Sequence, residues 1–280
     1  MNIRKYTLLA FLLTASIVYP SVSTLTYNHR QHITYVGTTH SYDPKDAQYK
    51  TFANAWNDFL QKTGGDNCCV IIEQSNIPSL TLSSLEKAIH LYGDCGAAYY
   101  VAQNSMIPIL AGDPLVRLGY HHLIQENKWD PDYIHYVAFI QQMELHNRQE
   151  PPSTQNPKPI LERVEKDFAA VFPNTPIETM ISLHSTITGK VFNPYDHHFF
   201  KFITYYPPMK SIRSLFLYRF AALKELQEIV FNYHLTREAA TIALVKQQLL
   251  AGKHVFIVFG NAHEAFHIKA LQAITQEKTT

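Results

Sequence analysis

Cysteine, glycine and net charge are all scarce in this chain. Cys68, Cys69 and Cys95 are the three cysteines, an odd number, so at least one thiol is free or pairs with another chain. Cys95 can bridge to Cys68 or Cys69 in an oxidising compartment, or the thiols are buried as small apolar groups. Their spacing is not that of a zinc site. The formal charge is +1, which gives no electrostatic argument for nucleic acid or an anionic membrane as partner. Beyond the first residues no apolar run is long enough to span a bilayer. A P-loop, a Rossmann glycine fingerprint, a G-x-S-x-G elbow and an H-E-x-x-H run are also read as missing.

The first 23 residues read as an export signal. Arg4 and Lys5 form a positive start, and Leu8 to Val18 is a short apolar stretch that ends before Pro20. Ser21-Val22-Ser23 is a small-x-small cleavage site, and the alternative is an uncleaved anchor helix. Loss of Arg4 and Lys5 shifts the formal charge from +1 to −1. Residues 24–280 then suit one domain, exported to the periplasm or secreted, with no transmembrane helix.

Within that stretch strands and helices alternate. Ile33–Val36 reads as a strand. Asp43 and Pro44 suit the cap and first position of a helix, which carries Phe52, Trp56, Phe59 and Leu60 on one face and stops at Gly64-Gly65. Cys69–Ile72 is apolar on both faces, as a central parallel strand is. Ser83-Ser84-Leu85-Glu86 has capping-box spacing and opens a short helix. A further helix spans Ala97 to Ser105, and Ile107–Leu110 is a third strand. This order predicts an α/β fold with a mixed, largely parallel sheet flanked by helices. Asp130-Pro131 starts a helix that fades near Arg148. Pro151, Pro152, Pro157 and Pro159 follow, and no clear period returns before Pro208. Residues 128–210 thus read as a helical or irregular insertion, either a cover over the site or a plain insertion. Ser211 to Tyr233 reads as one helix, and Thr236 caps another that runs to Leu250. His254–Phe259 is a strand, and His263 opens a last helix.

Two segments share one design. Ile33-Thr34-Tyr35-Val36-Gly37-Thr38-Thr39-His40 and Val255-Phe256-Ile257-Val258-Phe259-Gly260-Asn261-Ala262-His263 each run from a strand through glycine to histidine. With 10 Gly and 15 His, chance gives roughly 0.5 matches to bare G-x-x-H, so the strand context carries the information. Gly119-Tyr120-His121-His122 follows no strand and is the chance match. The recurrence is compatible with two related halves. Each histidine lies just past a strand's carboxyl end, where α/β sheets collect their ligand sites. Glu73, closing Val70-Ile71-Ile72, joins them, because an acid on so apolar a run is paired, ligated or at the sheet edge. Asp113 in Gly112-Asp113-Pro114 is a fourth candidate, or a plain turn residue. Two imidazoles and one or two carboxylates suit a divalent ion, or a general base with its orienting partner. His267 shares a helix face with His263, but surface exposure is the expected reading. His197-His198 is set aside as an irregular, histidine-rich surface. Glu238 suits a helix start, and Arg237 beside it is free to clamp a carboxylate.

Gly37-Thr38-Thr39-His40, Glu73 in VIIEQ and the late block TREAATIALVKQQLLAGKHVFIVFGNAHEAFH together resemble the TraB/Tiki superfamily. That superfamily takes in GumN-like, erythromycin esterase-like and ChaN-like haem-binding proteins. The resemblance covers roughly residues 33–115 and 236–267, and the middle segment has no counterpart. It implies a mixed sheet of two related halves and an exported metal-dependent hydrolase acting on a peptide or small ester. His40, Glu73 and His263 would hold Mn, Co or Zn. Glu73 or Glu238 would move the proton, Arg237 would lie close by, and Gly37, Asp113 and Gly260 would support the ligands. Many members carry Glu-Pro where this chain has Asp113-Pro114. The other implied readings are a haem- or iron-binding protein of the ChaN-like type and a non-catalytic secreted interaction protein.

Overall fold

The computed structural model describes residues 20–74, 77, 81–114, 116–149, 158–196, 199–200, 203 and 220–276. Residues 1–19 of the expected export signal, Pro151, Pro152, Pro157 and the His197-His198 pair lie outside them. The chain divides into two compact units, Met1–Pro114 with Arg237–Thr280, and Leu115–Thr236.

The first unit is built on five strands: β1 (Ser21–Tyr27), β2 (Gln31–Thr38), β3 (Cys68–Ile72), β4 (Ile109–Ala111) and β5 (His254–Gly260). Their order is β1-β2-β5-β3-β4. The β2–β5, β5–β3 and β3–β4 pairs are parallel, and β1 runs antiparallel along one edge. The fold is α/β with a mixed, mostly parallel sheet, as the alternation of strands and helices implies. β1 is the strand the sequence reading lacks. It takes up Ser21-Val22-Ser23, the segment read there as a cleavage site.

α1 (Gln48–Thr63) and α2 (Leu85–Asn104) lie against one face of this sheet. The carboxyl half of α7 (Phe220–Leu250) and α8 (Asn261–Gln276) lie against the other. Alternation along each strand sorts the side chains: Val70, Ile72, Phe256 and Val258 face α1 and α2, while Ile71, Ile257 and Phe259 face α7 and α8. Phe256 meets the edges of Phe52, Trp56 and Phe59 at centroid distances of 5.8, 5.0 and 5.3 Å. Truncating such a buried ring costs about 3–5 kcal/mol. All three cysteines are buried and unbridged, so neither Cys95 pairing forms. Burial pushes the Cys69 thiol up to about 12.

Several boundaries differ from the sequence reading for local reasons. Asp43 and Pro44 form a turn, with Asp46 N–H donating to Asp43 O, and α1 starts only at Gln48. Ser84, not Ser83, caps α2 by accepting from Lys87 N–H at 3.2 Å. The two helices expected over 83–105 are one element kinked at Gly93, whose φ of 59° and ψ of −137° leave the helical range. The third strand begins at Ile109, two residues late, although Pro108 O already accepts from Val70 N–H. Thr236 caps nothing. It lies inside α7, and its hydroxyl bonds back to Asn232 O at 2.9 Å. No glycine or proline interrupts Phe220–Leu250, so the helix has no reason to stop there. Residues 211–219 of the expected earlier helix lie outside the described ones.

The second unit is helical. α3 (Val116–Gln125), α4 (Pro131–Gln149), α5 (Lys158–Val171), α6 (Ile177–Thr188) and the amino-terminal part of α7 share a core that includes Tyr136, Phe139, Met143, Phe168, Met180 and Ile229. The insertion expected over 128–210 lies within this unit. Its missing period is corrected: Pro159 sits inside the first turn of α5, and Pro176 caps α6 with extended dihedrals. No helix among the described residues is long and apolar enough to cross a membrane.

Candidate metal centre

Parallel strands β2, β3 and β5 end side by side, and their exits carry His40, Glu73 and Gly260. Glu73 stands between the two histidines. Its Oε2 accepts from Gly260 N–H at 2.6 Å and lies 3.5 Å from His40 Nε2. Its Oε1 lies 3.1 Å from His263 Nε2. Gly260 is a glycine for a steric reason: a Cβ there would collide with His40 Nε2 and approach Glu73 Oε2 at 3.2 Å. Burial would raise the Glu73 pKa, but His263, the Gly260 N–H and His40 outweigh it and lower it below its ordinary value.

His40 sits in the left-handed region at φ 56°, and its side chain is 52 % exposed. Asp94 backs it, with Oδ2 3.2 Å from His40 Nδ1, and also accepts from the Thr38 hydroxyl. That carboxylate raises the His40 pKa against the opposing effect of burial. Sequence reasoning missed Asp94. Its position depends on the Gly93 kink, which no helical pattern announces.

On the far side of His263 the donors are closer. His263 Nδ1 is 2.5 Å from Glu238 Oε1, and His267 Nε2 is 2.5 Å from Glu238 Oε2. One ligand atom from each of Glu238, His263 and His267 lies within 4.8 Å of the others, the one such trio among the described residues. The trio can hold a metal ion. His267, expected on the surface, is 1 % exposed and stacks on His263 at 5.8 Å. Its pairing with Glu238 is close but lacks hydrogen-bond alignment. Glu238 Oε2, both ring nitrogens of His267 and the nearby Tyr35 hydroxyl are therefore buried without a hydrogen-bond partner. Buried polar atoms left so are costly. Two imidazoles and a carboxylate around such atoms fit a four-coordinate divalent ion.

Charge in this cluster is strongly coupled. Burial opposes the charged form of His263, but Glu238 and Glu73 overcome it and raise its pKa to about 10. Burial opposes the Glu238 carboxylate too, and the two imidazoles bring it down to about 2. A cation entering the trio would therefore compete with a proton on His263.

Arg237 and Asp113 come together, but on each other. Arg237 Nε donates to Asp113 Oδ1 at 3.1 Å, and its terminal nitrogen donates to Oδ2. The guanidinium read as a free clamp grips the chain's own β4 exit, where Thr241 also donates to Gly112 O at 2.8 Å. Gly37 allows the start of α8 to approach β2, since a Cβ there would strike the Asn261 side chain.

The trio also corrects the sequence reading, which counts an H-E-x-x-H run as missing although the chain carries one. His263-Glu264-Ala265-Phe266-His267 is an H-E-x-x-H run, the spacing that sets two imidazoles on one helix face for zinc. No protein-family model, curated protein or solved structure matches this chain.

Proposed function

We propose that this protein is an exported metal-dependent hydrolase of the protease or esterase type. The observation that carries the reading is the Glu238, His263 and His267 trio, in which Glu238 Oε2 and both ring nitrogens of His267 are buried without a hydrogen-bond partner. The resemblance to the TraB/Tiki superfamily points the same way. Zinc, cobalt or manganese bound there would polarise a carbonyl and make a bound water acidic.

The chain's own residues do the rest. Glu238, His263 and His267 would hold the ion. Glu73 accepts the Nε2–H of His263, which fixes that ring's tautomer and direction. The Gly260 N–H fixes Glu73 in turn. His40, half exposed and backed by Asp94, stands at the rim and can give a proton to a leaving group.

The test is metal content together with hydrolysis of p-nitrophenyl acetate and dye-labelled denatured casein, with added Zn, Co or Mn. Wild type should bind one ion per chain and turn over one of the probes. His263→Ala and His267→Ala should lose the ion and roughly 100-fold or more of the rate. Equal activity in all three proteins would sink the assignment.

A further inference from the structure

We propose that the β2 edge at Tyr35, Val36 and Gly37 is a docking strand for an extended peptide that ends in a free carboxylate, and that Ser21, Val22 and Ser23 fill this edge until they leave with the export signal. This rests on the export part of the reading above and not on the metal.

The chain itself shows the mode of docking. β1 runs antiparallel to β2, with Ser21, Val22 and Ser23 opposite Gly37, Val36 and Tyr35. These residues are weakly anchored. Val22 is 41 % exposed, and both serines are only partly buried. The rest of β1 is held differently. Tyr27 is buried, and Leu25 packs against the same core. A tight turn through Asn28 and His29, both at positive φ, returns the chain to β2. Cleavage after Ser23 therefore releases the first part of β1 and leaves Thr24–Tyr27 paired with Gln31–Thr34.

What remains is a short open strand edge, whose backbone N–H and C=O groups pair readily with another chain. One end of it stops at the new amino terminus. A peptide laid along the path of Ser21–Ser23, in the same direction, ends at Thr24. Its carboxylate meets the Thr24 α-ammonium, which is charged at neutral pH. The other end runs to the strand exits, for Gly37 shortly precedes His40. The amino-terminal side of the docked peptide therefore leads toward those exits.

Side chains add selection to the backbone pairing. The first docked residue takes the place of Ser21, whose hydroxyl donates to Glu264 Oε2 at 2.6 Å and to Asn261 Oδ1 at 3.4 Å. A hydroxyl or another donor suits this position. Gly37 keeps it open, since a Cβ there would lie 2.5 Å from Ser21 Oγ. The second residue takes the exposed place of Val22 and is free to vary. Such an edge selects a peptide over a small ester.

The experiment uses the protein exported from bacterial cells through its own leader. Mass spectrometry reads its first residue, and its metal content is measured in the same sample. The probe is fluorescein-labelled Tyr-Pro-Ser-Val-Ser, the sequence of residues 19–23, followed by anisotropy. The mature chain should begin at Thr24 and bind the probe saturably below about 1 mM. Amidating the probe's carboxylate should weaken binding about tenfold. The same protein exported with Ser21–Ser23 retained should bind at least about tenfold more weakly, because its edge is already filled. A mature chain that begins anywhere but Thr24 overturns the proposal. So does a Thr24-start chain that shows no saturation by about 1 mM, that binds the amide as tightly, or that binds no better than the chain keeping Ser21–Ser23. Metal-free protein that binds the probe in the expected order supports the docking strand and overturns the metal-dependent reading alone.

Discussion

His263 uses both ring nitrogens on carboxylates, Nε2 toward Glu73 and Nδ1 toward Glu238. One imidazole thereby links the sheet exits to the helix pair. His184 in the second unit shows the opposite use of burial. It is 3 % exposed, faces the Tyr136 hydroxyl at 2.7 Å and lies edge-on to Phe192 and Phe199. Burial brings its pKa down to about 4. The unfolded chain binds a proton near pH 6.5 and the native state does not until pH 4, so stability rises with pH across that window. His184 therefore stabilises fully above about pH 6.5 and loses that contribution as pH falls towards 4. The loss should approach about 3 kcal/mol. Urea unfolding followed by Trp129 fluorescence at pH 7 and 4.5 should show it, and His184→Gln should remove most of the difference.

At the scale of elements, α7 decides a sign. If Thr236 began a helix, Thr236→Ala would cost about 1 kcal/mol. Inside a continuous helix the same change trades a poor helix former for the best one and should hold or raise stability by a few tenths of a kcal/mol. Thermal unfolding of the two proteins reads the sign directly. What the sequence showed of the elements follows the strength of each local signal. The fully apolar run of β3 and the four aromatic and aliphatic residues of α1 were plain. So were the three strand exits that place His40, Glu73 and His263. β1 was hidden because Ser21, Ser23 and Leu25 are its inward residues, a weak alternation beside an apolar stretch that reads as a signal. His267 was misjudged because a helix pattern does not say which neighbour its face meets, and Tyr35 and Phe259 cover it only through pairing at long range. Asp94 needed a kink.

For the whole molecule, an ion bound by two helices of one unit should stabilise the native chain against the unfolded one. With zinc at about 100 times its dissociation constant the gain is about 2.7 kcal/mol, read as a rise in Tm over the same protein in chelator. Glu238→Gln should abolish the rise.

The strand order has a further consequence for synthesis. β5 lies in the middle of the sheet, paired on both sides, yet it is the last in sequence of the five described strands. Until residues 254–260 have left the ribosome, β2 and β3 have no neighbour between them. The sheet-bearing unit must therefore wait for residues 254–260, while the helical unit, encoded wholly upstream of β5, is free to form first. During that interval two apolar strand edges stand open, the period in which a growing chain most needs shielding from its neighbours.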